Sequence, residues 1–135
     1  MAHTYQAITE NIRVSVSPTY LADRSDPQKQ LYFWAYTIVI ENQGDKVAQL
    51  ISRYWYIVDE TGTVEEVTGE GVVGEQPVLN PGERFEYTSG CPLKAPSGVM
   101  SGHFVFTIDN VPNQQVEVPA FSLDTDQPSP SGWLN

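Results

Sequence analysis

Apolar and polar residues alternate with a period of two in one segment after another, and no stretch carries a helical stripe. Ile12, Val14 and Val16 alternate with Arg13, Ser15 and Ser17, which predicts a half-buried strand ended by Pro18. Residues 18–30 are polar, contain Pro27 and read as a long connection. Trp34, Tyr36, Ile38 and Ile40 then face one way and Ala35, Thr37, Val39 and Glu41 the other. Their aromatic and β-branched content suits a central strand. A third strand is predicted from about Val47 to Val58, with Ile51, Trp55 and Ile57 on one face and Tyr54, Tyr56 and Val58 on the other. Arg53 shares the register of Trp55 and Ile57, so its side of the strand is left open.

Turn chemistry at Asn42–Asp45, Asp59–Gly62 and Asn80–Glu83 separates the remaining pieces. These are a short acidic strand over 63–67, a glycine-rich loop over 68–77, a strand carrying Phe85, Tyr87 and Ser89, and a proline-containing loop over 90–98. Phe104, Phe106 and Ile108 mark a further strand, and Val116, Val118 and Ala120 begin the last, where Pro119 predicts an edge. Seven or eight short strands with turns between them predict an all-β, antiparallel β-sandwich, with a small barrel as the competing architecture. Trp34, Trp55, Phe85, Tyr87, Phe104 and Phe106 are its expected core. Residues 1–124 are expected to form one domain, and residues 125–135 have the composition of a flexible tail.

Length and charge narrow the function. A chain of 135 residues fits one domain. Its 17 acidic and 7 basic side chains leave a formal charge of −10. Nucleic acids are held mainly through Lys and Arg contacts to phosphate, so no nucleic-acid partner is expected. The longest mostly apolar run, Leu31–Ile40, is half the length of a membrane span of about 20 residues, and no membrane insertion is expected. The single Cys91 allows no internal disulfide, and the start of the chain has neither the basic head nor the apolar stretch of a secretory signal. A cytoplasmic location is expected.

The segments Arg53-Tyr54-Trp55, Gly69-Glu70-Gly71-Val72-Val73-Gly74-Glu75-Gln76-Pro77, Pro81-Gly82-Glu83 and Tyr87-Thr88-Ser89-Gly90 resemble the ApaG family. Phe33-Trp34-Ala35-Tyr36-Thr37, Ser101-Gly102-His103-Phe104 and Val118-Pro119-Ala120-Phe121 match as well, so the resemblance covers residues 4–123. It implies a fibronectin type III-like, immunoglobulin-like β-sandwich. It also implies association with cobalt resistance and magnesium efflux, without fixing a biochemical act. Related domains in eukaryotic proteins, an F-box protein and a polymerase-associated protein among them, serve as interaction modules.

Gly69, Gly71 and Gly74 also spell the G-x-G-x-x-G pattern of dinucleotide sites. That pattern works where a helix follows and offers its N-terminal N–H groups to pyrophosphate. Here Pro77 and Pro81 follow, and Glu70 and Glu75 would repel phosphate. The glycines read either as backbone freedom in a long crossing or as a pyrophosphate or nucleotide site. Eight carboxylates against the single base Arg84 lie between Asp59 and Glu86, seven of the ten net negative charges. Such a patch suits weak divalent-cation binding by Glu70, Glu75 and His103, or contact with a basic partner. Cys91 has no activating base beside it and neither Ser89 nor Ser101 sits in a G-x-S-x-G setting, so no catalytic residues and no cofactor are expected. The leading expectation is a non-enzymatic interaction module that meets an unidentified protein partner through Gly69, Glu70, Gly71, Val72, Val73, Gly74, Glu75 and Gln76. Self-association into a homodimer through an exposed edge strand is the further expectation.

Overall fold

The computed structural model describes residues 3–125; the tail expected over 125–135 lies, but for its first residue, outside them. Nine strands follow one another: β1 (Tyr5–Thr9), β2 (Ile12–Tyr20), β3 (Tyr32–Asn42), β4 (Ala48–Asp59), β5 (Val64–Glu70), β6 (Val78–Leu79), β7 (Arg84–Leu93), β8 (Ser97–Ile108) and β9 (Val111–Asp124). Single 3₁₀ turns at Ala22–Arg24 and Pro27–Lys29 are the only helical pieces among the described residues. One sheet has the order β1-β2-β3-β7 and the other β5-β4-β8-β9, with β6 also paired to β4. Every pairing is antiparallel. The architecture is the two-sheet sandwich that the alternation predicts. No helix among the described residues is long and apolar enough to cross a membrane.

The inward faces interdigitate as period-two sheets must. Val14, Val16, Trp34, Tyr36, Ile38 and Ile40 of the first sheet are buried against Leu50, Trp55, Phe104, Phe106, Val116 and Phe121 of the second. At the centre, Trp55 makes edge contacts with Tyr36 and Phe121 at centroid distances of 5.5 and 6.0 Å. The expected core aromatics are all here except Phe85, which only packs partly buried against the cluster.

Several expectations need correction. β2 does not end at Pro18 but continues to Tyr20, with Pro18 opposite Tyr36. β1 has already stopped opposite Val16, so β2 is an edge at that point and tolerates a proline. Ile51 does not share a face with Trp55: the register shifts between Leu50 and Ser52, and Leu50 takes the buried place. This bulge also settles Arg53 onto the inward face. The 90–98 loop is mostly strand, with β7 reaching Leu93 and β8 starting at Ser97, so Cys91 is a buried strand residue. Ala120 is exposed, because a second register shift, where Pro119 and Ala120 lie opposite Ser101, hands its inward place to Phe121. β1 was not expected at all: its one large aliphatic, Ile8, points outward at 59% exposure.

The two sides of the sandwich differ. On one side β1 and β9 close the gap between the sheets. Tyr5 packs on Phe121, and the backbone N–H of Glu117 donates to Thr9 Oγ1 at 3.1 Å. On the other side the outer strands β5 and β7 do not pack together in this way, and a seam runs between the sheets.

Candidate functional site

The seam is organised by the bulge in β4. The Ile51 carbonyl accepts both the Gly71 N–H at 2.9 Å and Gln76 Nε2 at 2.9 Å. The Leu50 N–H donates to the Pro77 carbonyl at 3.0 Å, so both ends of the 71–77 segment are tied to the irregular residues of one strand. Between these ties Val72 and Glu75 exchange two backbone hydrogen bonds, of 2.8 and 2.9 Å, around Val73 and Gly74. Both central residues have positive φ, 44° and 81°, as a two-residue primed hairpin turn requires. The same device closes β1–β2 at Glu10-Asn11 and β8–β9 at Asp109-Asn110. Asparagine and aspartate tolerate that region, whereas a β-branched residue does not, so Val73 is strained. Val72 is buried in the core and Val73 stands 54% exposed at the tip.

Arg53 enters the seam from below this hairpin. Its Nη1 donates to the carbonyls of Glu70 and Gly71 at 3.0 and 2.9 Å. The guanidinium lies flat on Gly69, where a Cβ would stand 2.7 Å from Nη2. A Cβ at Gly71 would overlap the Glu75 carbonyl oxygen. Two of the three motif glycines therefore make room for an arginine and for a tight chain reversal. Three backbone N–H groups of the loop are already spent, those of Val72 and Glu75 on each other and that of Gly71 on the Ile51 carbonyl.

A cavity of about 310 Å³ opens beside Arg53, walled by Tyr36, Trp55, Val72, Tyr87 and Ser89, with Glu70 at its edge. β3 and β7 place Tyr36 opposite Ser89, and Tyr87 two residues further along. The Tyr87 hydroxyl is buried and has no hydrogen-bond partner. Burial pushes its phenol above the ordinary value; nearby Tyr36 adds to this and Arg53 opposes it. Burial likewise raises Tyr36, against the pull of the Ser89 hydroxyl and Arg53. A second cavity of about 490 Å³ lies at the far end of the seam, among Leu31, Ile57, Thr63, Glu65, Leu93 and Lys94. Buried Cys91 lies between the two, its thiol pushed up to about 12 by burial and, second, by Glu65.

The loop residues singled out from the sequence, Gly69 to Gln76, thus share one rim, while His103 lies elsewhere. It stacks on Tyr54 across β4 and β8 at 5.1 Å, and Tyr54 donates to Glu66 at 2.6 Å. Among the described residues no three of His, Cys, Asp and Glu gather as a metal-holding group. Part of the acidic run has local work. Asp59 caps its own turn, and the Thr61 hydroxyl and then the turn's N–H groups hold its carboxyl below the ordinary range. Glu83 Oε1 accepts the Asn80 N–H at 2.8 Å. Glu65, Glu66 and Glu70 line β5, and Glu75 adds to them at the hairpin. Tyr36, Arg53, Tyr87 and Ser89 escaped the sequence reading. Their one signal was an arginine at a core-facing position of a strand.

A family model described as ApaG domain matches residues 22–108. Protein ApaG of Mesorhizobium japonicum is 55% identical over 120 residues, covering 89% of this chain and 92% of that one. Protein ApaG of Allorhizobium ampelinum is 53% identical over 121 residues, covering 90% and 93%. The crystal structure of the ApaA protein from Bordetella pertussis superposes with a TM-score of 0.83 at 47% identity, covering 86% of this chain and 94% of that one.

Proposed function

The chain belongs to the ApaG family, and on that premise we propose that it is a non-enzymatic binding module whose contact surface is the open seam between β5 and β7. The observation that carries this reading is the asymmetry of the sandwich. One side is closed by β1 against β9, while the other leaves two cavities and two outer strands uncovered, beneath a strained hairpin. An outer strand with free backbone groups is a natural template for an extended segment of another chain. Glu65, Glu66, Glu70 and Glu75 along this rim select a basic partner and set two copies of this chain against each other. Cys91 supports a non-catalytic role, since a buried thiol held protonated is a poor nucleophile. Glu70, Glu75 and His103 do not converge, so the cobalt and magnesium association of the family is read as acting through the partner in the cytoplasm.

The test is capture from cell extract by the immobilised full chain and two charge-reversed variants. Glu70→Lys/Glu75→Lys alters the seam rim, and Glu10→Lys/Glu117→Lys makes the same charge change on the closed side. A partner held by the wild type and the closed-side variant, but lost from the rim variant, is the expected result. Equal retention by all three, or capture of nothing, refutes the reading.

A further inference from the structure

The 310 Å³ cavity holds one cation, Arg53, with Glu70 at its edge. Arg53 has only N–H groups to offer, and its Nη2 and Nε carry no hydrogen bond among the described residues. It also forms no ion pair there; the two pairs that form are Arg13–Glu41 at 3.0 Å and Arg84–Glu86 at 3.5 Å. An arginine on a core-facing strand position, without a carboxylate, is a charge awaiting its counterpart. Independently, Tyr87 lines this cavity, is 8% exposed, and its buried hydroxyl has no partner among the described residues. Leaving a buried hydroxyl unpaired destabilises the fold, and the ring alone would fill the core as well. Tyr36 and Ser89 line the same wall.

We propose that this cavity is a carboxylate-binding subsite, in which Arg53 and the Tyr87 hydroxyl donate to one carboxylate of a bound acid. The single positive charge sets the valence. A monoanion is matched by Arg53, whereas a phosphate dianion would leave one charge uncompensated beside Glu70. Arginine also offers carboxylates its paired, parallel N–H bonds. Trp55 and Val72 supply an apolar wall for a short chain behind the carboxylate, and the volume accommodates one. Two sources present this chemistry: a small free acid, and the C-terminus of an extended segment lying in the seam. The proposal deepens the binding-module reading and rests on it. The capture experiment reads the outer rim and this one reads the cavity, so either can fail while the other succeeds.

The experiment is an NMR titration of the full chain at constant ionic strength, following the Trp55 indole and Arg53 Nε–H signals. The probes are butyrate, butyramide, inorganic phosphate, and a tetrapeptide with a free or an amidated C-terminus. Saturable shifts with butyrate or the free-acid peptide, absent with butyramide and the amidated peptide, are expected. Equal affinity for butyrate and free-acid peptide identifies a small acid as the source, and tighter peptide binding identifies a chain terminus. Tyr87→Phe is expected to weaken carboxylate binding about tenfold while raising the melting temperature of the ligand-free protein. That opposition separates a binding hydroxyl from a structural one. Arg53→Met is expected to abolish the shifts. Should it also displace the hairpin, as read from the Val72 methyl signals, Tyr87→Phe decides. The proposal is overturned by equal shifts with the amides, by phosphate binding more tightly than the carboxylates, by unchanged affinity in Tyr87→Phe, or by no shift at millimolar probe.

Discussion

Trp55 joins the two sheets at the centre of the molecule, 3% exposed and in contact with aromatic rings from both sheets. Trp55→Ala is expected to cost about 3–5 kcal/mol, measured as a lower urea midpoint at unchanged slope. Cys91 gives a different kind of residue-scale expectation. Its thiol is pushed up to about 12 in the fold, against about 8.5 in an unfolded chain. The folded protein therefore holds this proton more tightly. The stability this adds is complete below about pH 8.5 and fades as pH rises toward about 12. Tyr36 and Tyr87, raised by burial, act in the same direction from about pH 10 upward. The urea midpoint is expected to fall between about pH 8 and about pH 10.5, and Cys91→Ala to make that fall shallower. A pH-independent midpoint would contradict the burial of all three.

Among the elements, the hairpin of residues 71–77 invites the sharpest substitution. Val73→Asn places a residue suited to positive φ where a β-branched one is strained, and is expected to add about 1 kcal/mol of stability. If the strain serves contact, the same variant retains less partner in the capture assay, a trade between stability and function. Element by element, the sequence was legible wherever alternation ran undisturbed. β3 presents the predicted face over its whole length, and β7 puts Phe85, Tyr87 and Ser89 inward. It failed at one-residue irregularities. A bulge at Ile51 and another at Pro119-Ala120 each exchange inward for outward beyond that point; Pro119 marks the second place as irregular, while nothing local marks the first. The site was half legible for a related reason. The glycine loop is contiguous and stood out, but Tyr36, Arg53, Tyr87 and Ser89 come from three strands that only the sheet order and the facing of the layers bring together.

At the scale of the whole molecule, charge and shape coincide. The −10 is concentrated between Asp59 and Glu86, and β5 and the hairpin set much of it along the uncovered side. Self-repulsion of this kind opposes the compact state, so added sodium chloride is expected to raise the melting temperature until the charges are screened. Reversing Glu70 and Glu75 is expected to flatten that rise, measured by calorimetry across a salt series. The bulge at Ile51 has a consequence of another order. Its carbonyl holds Gly71 and Gln76, and the bulge absorbs the one residue that would otherwise put Leu50 and Arg53 on opposite faces. Deleting that one residue would leave Leu50 opposite Phe106, Ser52 opposite Val105 and Arg53 still inward opposite Phe104, but would remove the carbonyl to which the hairpin is tied. The extra residue in β4 and the hairpin it anchors are therefore a single heritable unit, expected to be kept or lost as one in any lineage descended from this chain.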